Sequence, residues 1–190
     1  MRRSTANRAH REALACFTRH GWALPPRPSW DITDFGLGDF EHKGLVLITL
    51  ASEPEYCEKL MYARRDQETP CHAHARKKED IICRSGELTL TLWPSKPDPG
   101  ARQPPAFRGR INGEPVDIRT GVPFTLAAGS RVTIEPGVWH AFRPASDECI
   151  IGEVSTANDD LADNYFADPM IGRFPGMEED EPSVVGLVRD

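Results

Sequence analysis

The chain has 190 residues, a formal net charge of −6 and 39% apolar residues, enough to bury a full core in one domain and too apolar for a disordered chain. A net negative chain gives no reason to expect nucleic acid as a partner, and no apolar run approaches the length of a membrane span. The five cysteines are odd in number and scattered, and the basic N-terminus lacks the apolar core of a secretion signal, so the thiols read as free ones in a reducing cytoplasm.

In chain order, Ala9, Ala13, Leu14 and Phe17 recur at helical spacing and Gly21 stands where a helix would stop, so the spacing predicts a helix up to His20. The stretch GWALPPRPSWDITDFGLGDFEHKG follows, rich in Pro and Gly and carrying Trp22 and Trp30. It reads as an extended arm that packs on the domain. From LVLITLA onward, short apolar or alternating runs separated by turn residues predict strands: EKLMYA, EDIICR, ELTLTLW, FTLAA, SRVTIEP, WHAFRP and ECIIGEVS. PSKPDPGARQPPAFRGRINGEP reads as a long surface excursion in one hairpin. Past Ser155 the pattern becomes loop and turn with buried aromatics. The fold class is therefore all-β: a barrel or jelly roll with an N-terminal helix and extended arm. It forms a single domain over 1–190, with helix and arm over 1–44, barrel over 45–155 and packed C-terminal loops over 156–190.

The stretch from Cys71 to Trp93, CHAHARKKEDIICRSGELTLTLW, carries the chemistry. Residues two apart in a strand share a face, so His72 and His74 can both point inward. Glu79 joins them if ARKK bends the chain. With Ser85–Gly86 as a two-residue turn, Ile81, Cys83, Leu88, Leu90 and Leu92 share Glu79's face. A glutamate on an apolar inner face needs a partner, and a divalent cation shared with two histidines is an economical one. Far downstream, IEPGVWHAF places His140 just after the turn Pro136–Gly137, where it can close the site from the opposite wall. If Ser146–Asp147 is a two-residue turn, His140 sits opposite Glu153 on the neighbouring strand, and Glu153 projects into the same cavity. Trp139 and Phe142 wall that cavity or face the other layer. His10, His20 and His42 have no such setting and are assigned no role.

The two histidine motifs resemble those of the cupin superfamily, although Asp66 stands where a glycine is usual and Pro144 where an asparagine is usual. Together with GEVSTANDDLADNYF and IGRFPGMEEDE, they resemble the D-lyxose isomerase family over nearly the whole chain. That resemblance implies a cupin-type, Mn²⁺-dependent aldose–ketose isomerase that interconverts D-lyxose and D-xylulose, and often D-mannose and D-fructose. It implies His72, His74, Glu79 and His140 as ligands, with Lys77 and Glu153 matching further family positions. Co²⁺, Fe²⁺, Ni²⁺ and Zn²⁺ suit the same ligands. In such chemistry Glu153 is the expected proton shuttle, and Lys77 polarises a sugar hydroxyl or protonates the enediolate. Asp160 and Asp163 either bind sugar hydroxyls at the entrance or cap the loop that carries them. The expected partner is a monosaccharide, and the aromatic arm suggests a homodimer. Two alternatives use the same ligands: an Fe²⁺ cupin dioxygenase and a non-catalytic sugar-binding module.

Overall fold

Two antiparallel β-sheets face one another across an apolar layer in this computed structural model, which describes residues 1–100, 102–159, 162–171 and 176–188. The larger sheet runs in the order β1 (Ser29–Thr33), β2 (Leu45–Ser52), β3 (Tyr56–Arg64), β12 (Glu148–Thr156), β5 (Glu79–Ser85), β10 (Arg131–Ile134), β7 (Ala106–Ile111) and β8 (Glu114–Arg119). The smaller runs β13 (Tyr165–Phe166), β4 (His72–Ala73), β11 (Trp139–Pro144), β6 (Glu87–Trp93) and β9 (Phe124–Ala127). Helix α1 (Arg3–Arg19) lies on the outer face of the larger sheet, and a single turn, α2 (Phe40–Lys43), precedes β2.

Period-two alternation explains both apolar layers. Inward residues Met61, Ala63, Ile81, Cys83, Cys149 and Ile151 meet Leu88, Leu90, Leu92 and Phe142 of the smaller sheet. The intervening residues Val46, Ile48, Leu60, Tyr62 and Ile150 point outward and are covered by Ala6, Ala9, Ala13, Cys16 and Phe17 of α1. Strand β2 is therefore buried on both faces, which is why LVLITL reads as a continuous apolar run instead of an alternating one. Leu14, expected on the helix's buried face, is exposed. Gly21 ends the helix as the sequence predicts, with a left-handed φ of 72°.

The N-terminus of α1 depends on the other end of the chain. Arg2 makes no capping bond and no acid stands in the first turn. Instead the Ser4 N–H donates to Asp180 Oδ1 at 2.9 Å and the Arg3 N–H to the Glu178 carbonyl at 2.9 Å. The Arg3 guanidinium holds both oxygens of Glu179, at 2.9 and 2.7 Å. Carboxylates at this end of a helix satisfy orphan N–H groups and oppose the macrodipole.

Several expectations are corrected. The arm is not merely extended, because its residues 29–33 form the edge strand β1 paired with β2. Trp30 of that arm is 2% exposed and packs against His10 and Phe17. The excursion contains the ordered hairpin β7–β8, turning at Asn112–Gly113 with φ of 54° and 83°, the Asn-Gly signal of a tight hairpin. Tyr165 is exposed rather than buried. Neither expected hairpin around the site forms. At Ser85–Gly86 the chain crosses from the larger sheet to the smaller, and β5 pairs with β12 and β10, not β6. A Cβ on Gly86 (φ 83°) would lie 2.4 Å from Ser146 Oγ and 2.6 Å from the Glu148 carbonyl oxygen, so this corner is closed to larger residues. At Ser146–Asp147 the chain crosses back, and β11 pairs with β6 and β4, not β12.

Candidate active site

The cavity lies between the sheets at one end of the sandwich. From the smaller sheet, His72 pairs in register with Phe166 on one side and with His140 on the other, so the three side chains form a row. From the larger sheet, Glu153 is flanked in register by Lys59 and Ile81, and Glu79 stands two residues before Ile81 on the same face. Residues 75–78 carry the chain from β4 across to β5. The bend expected at ARKK is thus a change of sheet, and Glu79 faces the histidines from the opposite wall. Glu153 likewise reaches the cavity, but across the sandwich and not by strand pairing with His140. The free space inside the cavity is about 90 Å³.

The three rings are oriented by backbone carbonyls. Nδ1 of His72 lies 2.8 Å from the Pro70 carbonyl oxygen, that of His74 3.0 Å from Asp163 O and that of His140 3.2 Å from Val138 O. A carbonyl can only accept, so each Nδ1 carries a proton and donates it. Burial depresses the His72 pKa well below the usual value, with His140 and His74 adding to the effect; burial also depresses that of His74. One ligand atom from each ring lies within 4.8 Å of the others.

Glu79 is 2% exposed. Its Oε1 lies 3.0 Å from His140 Nε2 and its Oε2 3.6 Å from His74 Nε2. Among the described residues, His74 Nε2, His140 Nε2 and Glu79 Oε1 are buried side-chain atoms with no hydrogen bond. Orphaned acceptors of this kind are costly in a protein interior. Their convergence fits a divalent cation with mixed nitrogen and oxygen ligands, and the Nδ1–carbonyl bonds are the outer support such ligands need.

Beside this cluster runs a buried charge chain. Lys77 Nζ lies 2.8 Å from Glu79 Oε2 and 2.9 Å from Glu153 Oε1. Burial alone would push the Lys77 pKa down, but Glu79 and Glu153 outweigh it and hold the ammonium protonated above its ordinary range. Burial would raise the Glu79 pKa, and Lys77 foremost holds it well below the carboxylate range. Lys59, which the sequence reading missed, lies 3.7 Å from Glu153 Oε1 and donates to Asn158 Oδ1 at 2.9 Å.

Asp163 is near the site but turned to another task. Its carboxylate accepts backbone N–H bonds from Ala75 at 3.0 Å, Arg76 at 3.1 Å and Lys77 at 2.9 Å. Burial would raise its pKa, and those three bonds, with Lys77's first, keep it low. Of the two expectations, these bonds fit loop capping: Asp163 organises the turn that carries His74 and Lys77. Asp160 lies outside the described residues. Phe142 walls the cavity, while Trp139 faces away under the Lys96 ammonium, 5.8 Å from its ring centre.

The profile of the D-lyxose isomerase family matches residues 27–190. A D-lyxose/D-mannose isomerase of Serratia proteamaculans is 37% identical over 164 residues, 80% of this chain and 71% of that protein. That of Escherichia coli O157:H7 is 34% identical over 172 residues, 85% of this chain and 75% of that one. A D-lyxose ketol-isomerase of Cohnella laeviribosi is 30% identical across 94% of this chain and all of its own length (100%). Among solved structures, the L-ribose isomerase of Acinetobacter sp. DL28 superposes with a TM-score of 0.66 at 17% identity, covering 91% of this chain and 95% of that one. It shares the cupin-type fold. The chain therefore belongs to the D-lyxose isomerase family and is a sugar isomerase built on a cupin barrel.

Proposed function

We propose that this enzyme interconverts D-lyxose and D-xylulose, and D-mannose and D-fructose, by moving a proton between C1 and C2 of the open-chain sugar. The observation that carries the reading is one cavity holding three convergent imidazoles and Glu79, with Glu153 joined to that cluster through Lys77. The names of the relatives support the choice of sugars.

His72, His74, Glu79 and His140 would hold the cation, Mn²⁺ by preference with Co²⁺, Fe²⁺, Ni²⁺ or Zn²⁺ as substitutes. When bound it supplies Lewis-acid stabilisation of the negative charge that develops on the two sugar oxygens. The Glu153 carboxylate takes the proton from C2 of the aldose and returns it to C1, while a second proton passes from O2 to O1, which leaves the ketose and the unchanged enzyme. Lys77 fixes the Glu153 carboxylate at 2.9 Å and keeps it from drifting toward the ligand cluster. The Lys59 ammonium stands on its other flank, 3.7 Å away. The apolar floor of Met61, Ile81 and Phe142 limits water, which protects the enediolate.

The test is ketose formation from D-lyxose and D-mannose by Mn²⁺-loaded protein with no nicotinamide and no O₂. We expect about one divalent ion per chain and conversion of at least one of these sugars. His74→Ala should lose most of the metal and nearly all activity. Metal bound with no ketose from either sugar would sink the isomerase reading, and full metal occupancy in His74→Ala would overturn the ligand assignment.

A further inference from the structure

We propose that Phe35 sets the carbon-chain length that the active site accepts, by closing the end of the cavity that receives the sugar's terminal hydroxymethyl group. The inference rests on the isomerase reading above and goes further, to a residue outside the barrel.

Phe35 lies in the turn between β1 and α2, and its backbone is left-handed, with φ of 55°. That conformation is uncommon for any residue but glycine and unfavourable for a bulky one. It is held in place by its surroundings. Phe35 N–H donates to Thr33 Oγ1 at 2.9 Å and Gly36 N–H to Asp34 Oδ1 at 3.0 Å. The Leu37 N–H reaches the Asp34 carbonyl at 3.0 Å, and the chain's amino terminus lies 3.7 Å from Asp34 Oδ2. Thr33 and Asp34 are themselves buried. The strained turn aims the ring inward: Phe35 lines the cavity and packs against the apolar core.

Inside the cavity the ring meets Phe166 edge to face, with centroids 6.2 Å apart. Phe166 in turn lies 5.6 Å from the His72 ring and is that residue's partner in register. The smaller sheet's row therefore runs Phe166, His72, His140, and beyond its edge strand β13 the Phe35 ring of the β1–α2 turn comes next. A sugar with C1 and C2 between Glu153 and the imidazoles has its remaining carbons to place. Toward the core it meets Ile81 and Met61, which are buried and apolar. The way along the row is bounded by two aromatic faces, which suit the C–H face of a sugar, with Asn164 among the polar groups beside them. Phe35 is the outermost of these rings, so it is the group a sixth carbon would encounter. It also sits on a loop outside the barrel, where the size of a site can change without disturbing its chemistry.

D-Mannose is D-lyxose with one more hydroxymethyl carbon and the same configuration at C2, C3 and C4, so the pair isolates this end of the site. The experiment compares kcat/KM for D-mannose and D-lyxose in wild type, Phe35→Ala and Phe35→Trp, all Mn²⁺-loaded. Alanine is chosen over glycine because glycine would also release the backbone strain. One methylene's worth of pocket space changes discrimination by about 10–200-fold. We expect the mannose-to-lyxose ratio to rise about tenfold or more in Phe35→Ala and to fall in Phe35→Trp, the lower end of that range. If Phe35→Ala proves unstable, the fall in Phe35→Trp alone supports the proposal. A ratio within about twofold of wild type in every variant that folds would overturn the assignment of Phe35 while leaving the isomerase reading intact, since it falls well short of a methylene's effect. A wild-type enzyme that makes no ketose from either sugar would remove the isomerase reading, and this proposal with it.

Discussion

Replacing Glu153 with glutamine separates chemistry from architecture at this site. Glu153 is 6% exposed, and one of its carboxylate oxygens lies 2.9 Å from Lys77 Nζ and 3.7 Å from Lys59 Nζ. Glutamine has nearly the same shape and keeps one acceptor oxygen for Lys77, while Lys77 retains its 2.8 Å partner Glu79. The ligand cluster contains no atom of Glu153, so the fold and the metal content should survive. What disappears is the basic oxygen. Removing a positioned general base costs about 10²–10⁴ in rate, or roughly 2.7–5.4 kcal/mol at about 1.36 kcal/mol per factor of ten. The assay is ketose formation at saturating aldose, with metal content and the thermal transition measured on the same preparation. Run in D₂O, wild type should place some solvent deuterium at C1 or C2 of the product, to the extent that the Glu153 carboxyl, 6% exposed, exchanges its proton between the two transfers. The glutamine variant should lose exchange and turnover together. Near-normal turnover with metal and fold intact would show that Glu153 is a bystander. Deuterium in the wild-type product would establish the proton route; its absence together with near-normal turnover of the glutamine variant would refute it.

Lys77→Met leaves two buried carboxylates without the cation between them. In metal-free protein the expected loss is about 3–5 kcal/mol, the usual consequence of breaking a buried ion pair from one side. A divalent ion would return part of it, so urea midpoints with and without Mn²⁺ should diverge more in the variant than in wild type; equal shifts would show that Lys77 and the metal do not share Glu79. Asp163→Asn removes the charge that gathers the N–H groups of Ala75, Arg76 and Lys77, at an expected loss of about 1–3 kcal/mol. The sign with pH follows from its depressed pKa: the stabilisation is fully present above the unfolded value of about 3.9 and is lost as the pH falls through the folded value. The gap between wild type and variant should therefore narrow below about pH 4, near the unfolded carboxylate value; a gap that stays constant into strong acid would mean that the charge is irrelevant.

Much of this site is legible in the sequence because it is written in period two. On β5, Glu79 shares the inner face with Ile81 and Cys83; on β12, Glu153 shares it with Cys149 and Ile151; on β3, Lys59 shares it with Met61 and Ala63. Each of these strands carries one charge on its inner row. The hairpin that would set Glu153 opposite His140 does not exist, yet Glu153 reaches the cavity, because alternation decides the face and pairing decides only the neighbour. The same test applied to EKLMYA would have found Lys59. What alternation cannot reach is the material between strands. Asp163 earns its place through three N–H groups gathered in a turn 86 to 88 residues away, and Phe35 through a backbone angle that no side-chain pattern announces. Both lie in irregular segments, where position depends on hydrogen bonds across the fold and not on spacing along it. The barrel strands therefore carry the charged groups of the cavity, and the irregular segments hold the turns that fix where those groups and the aromatic wall come to lie.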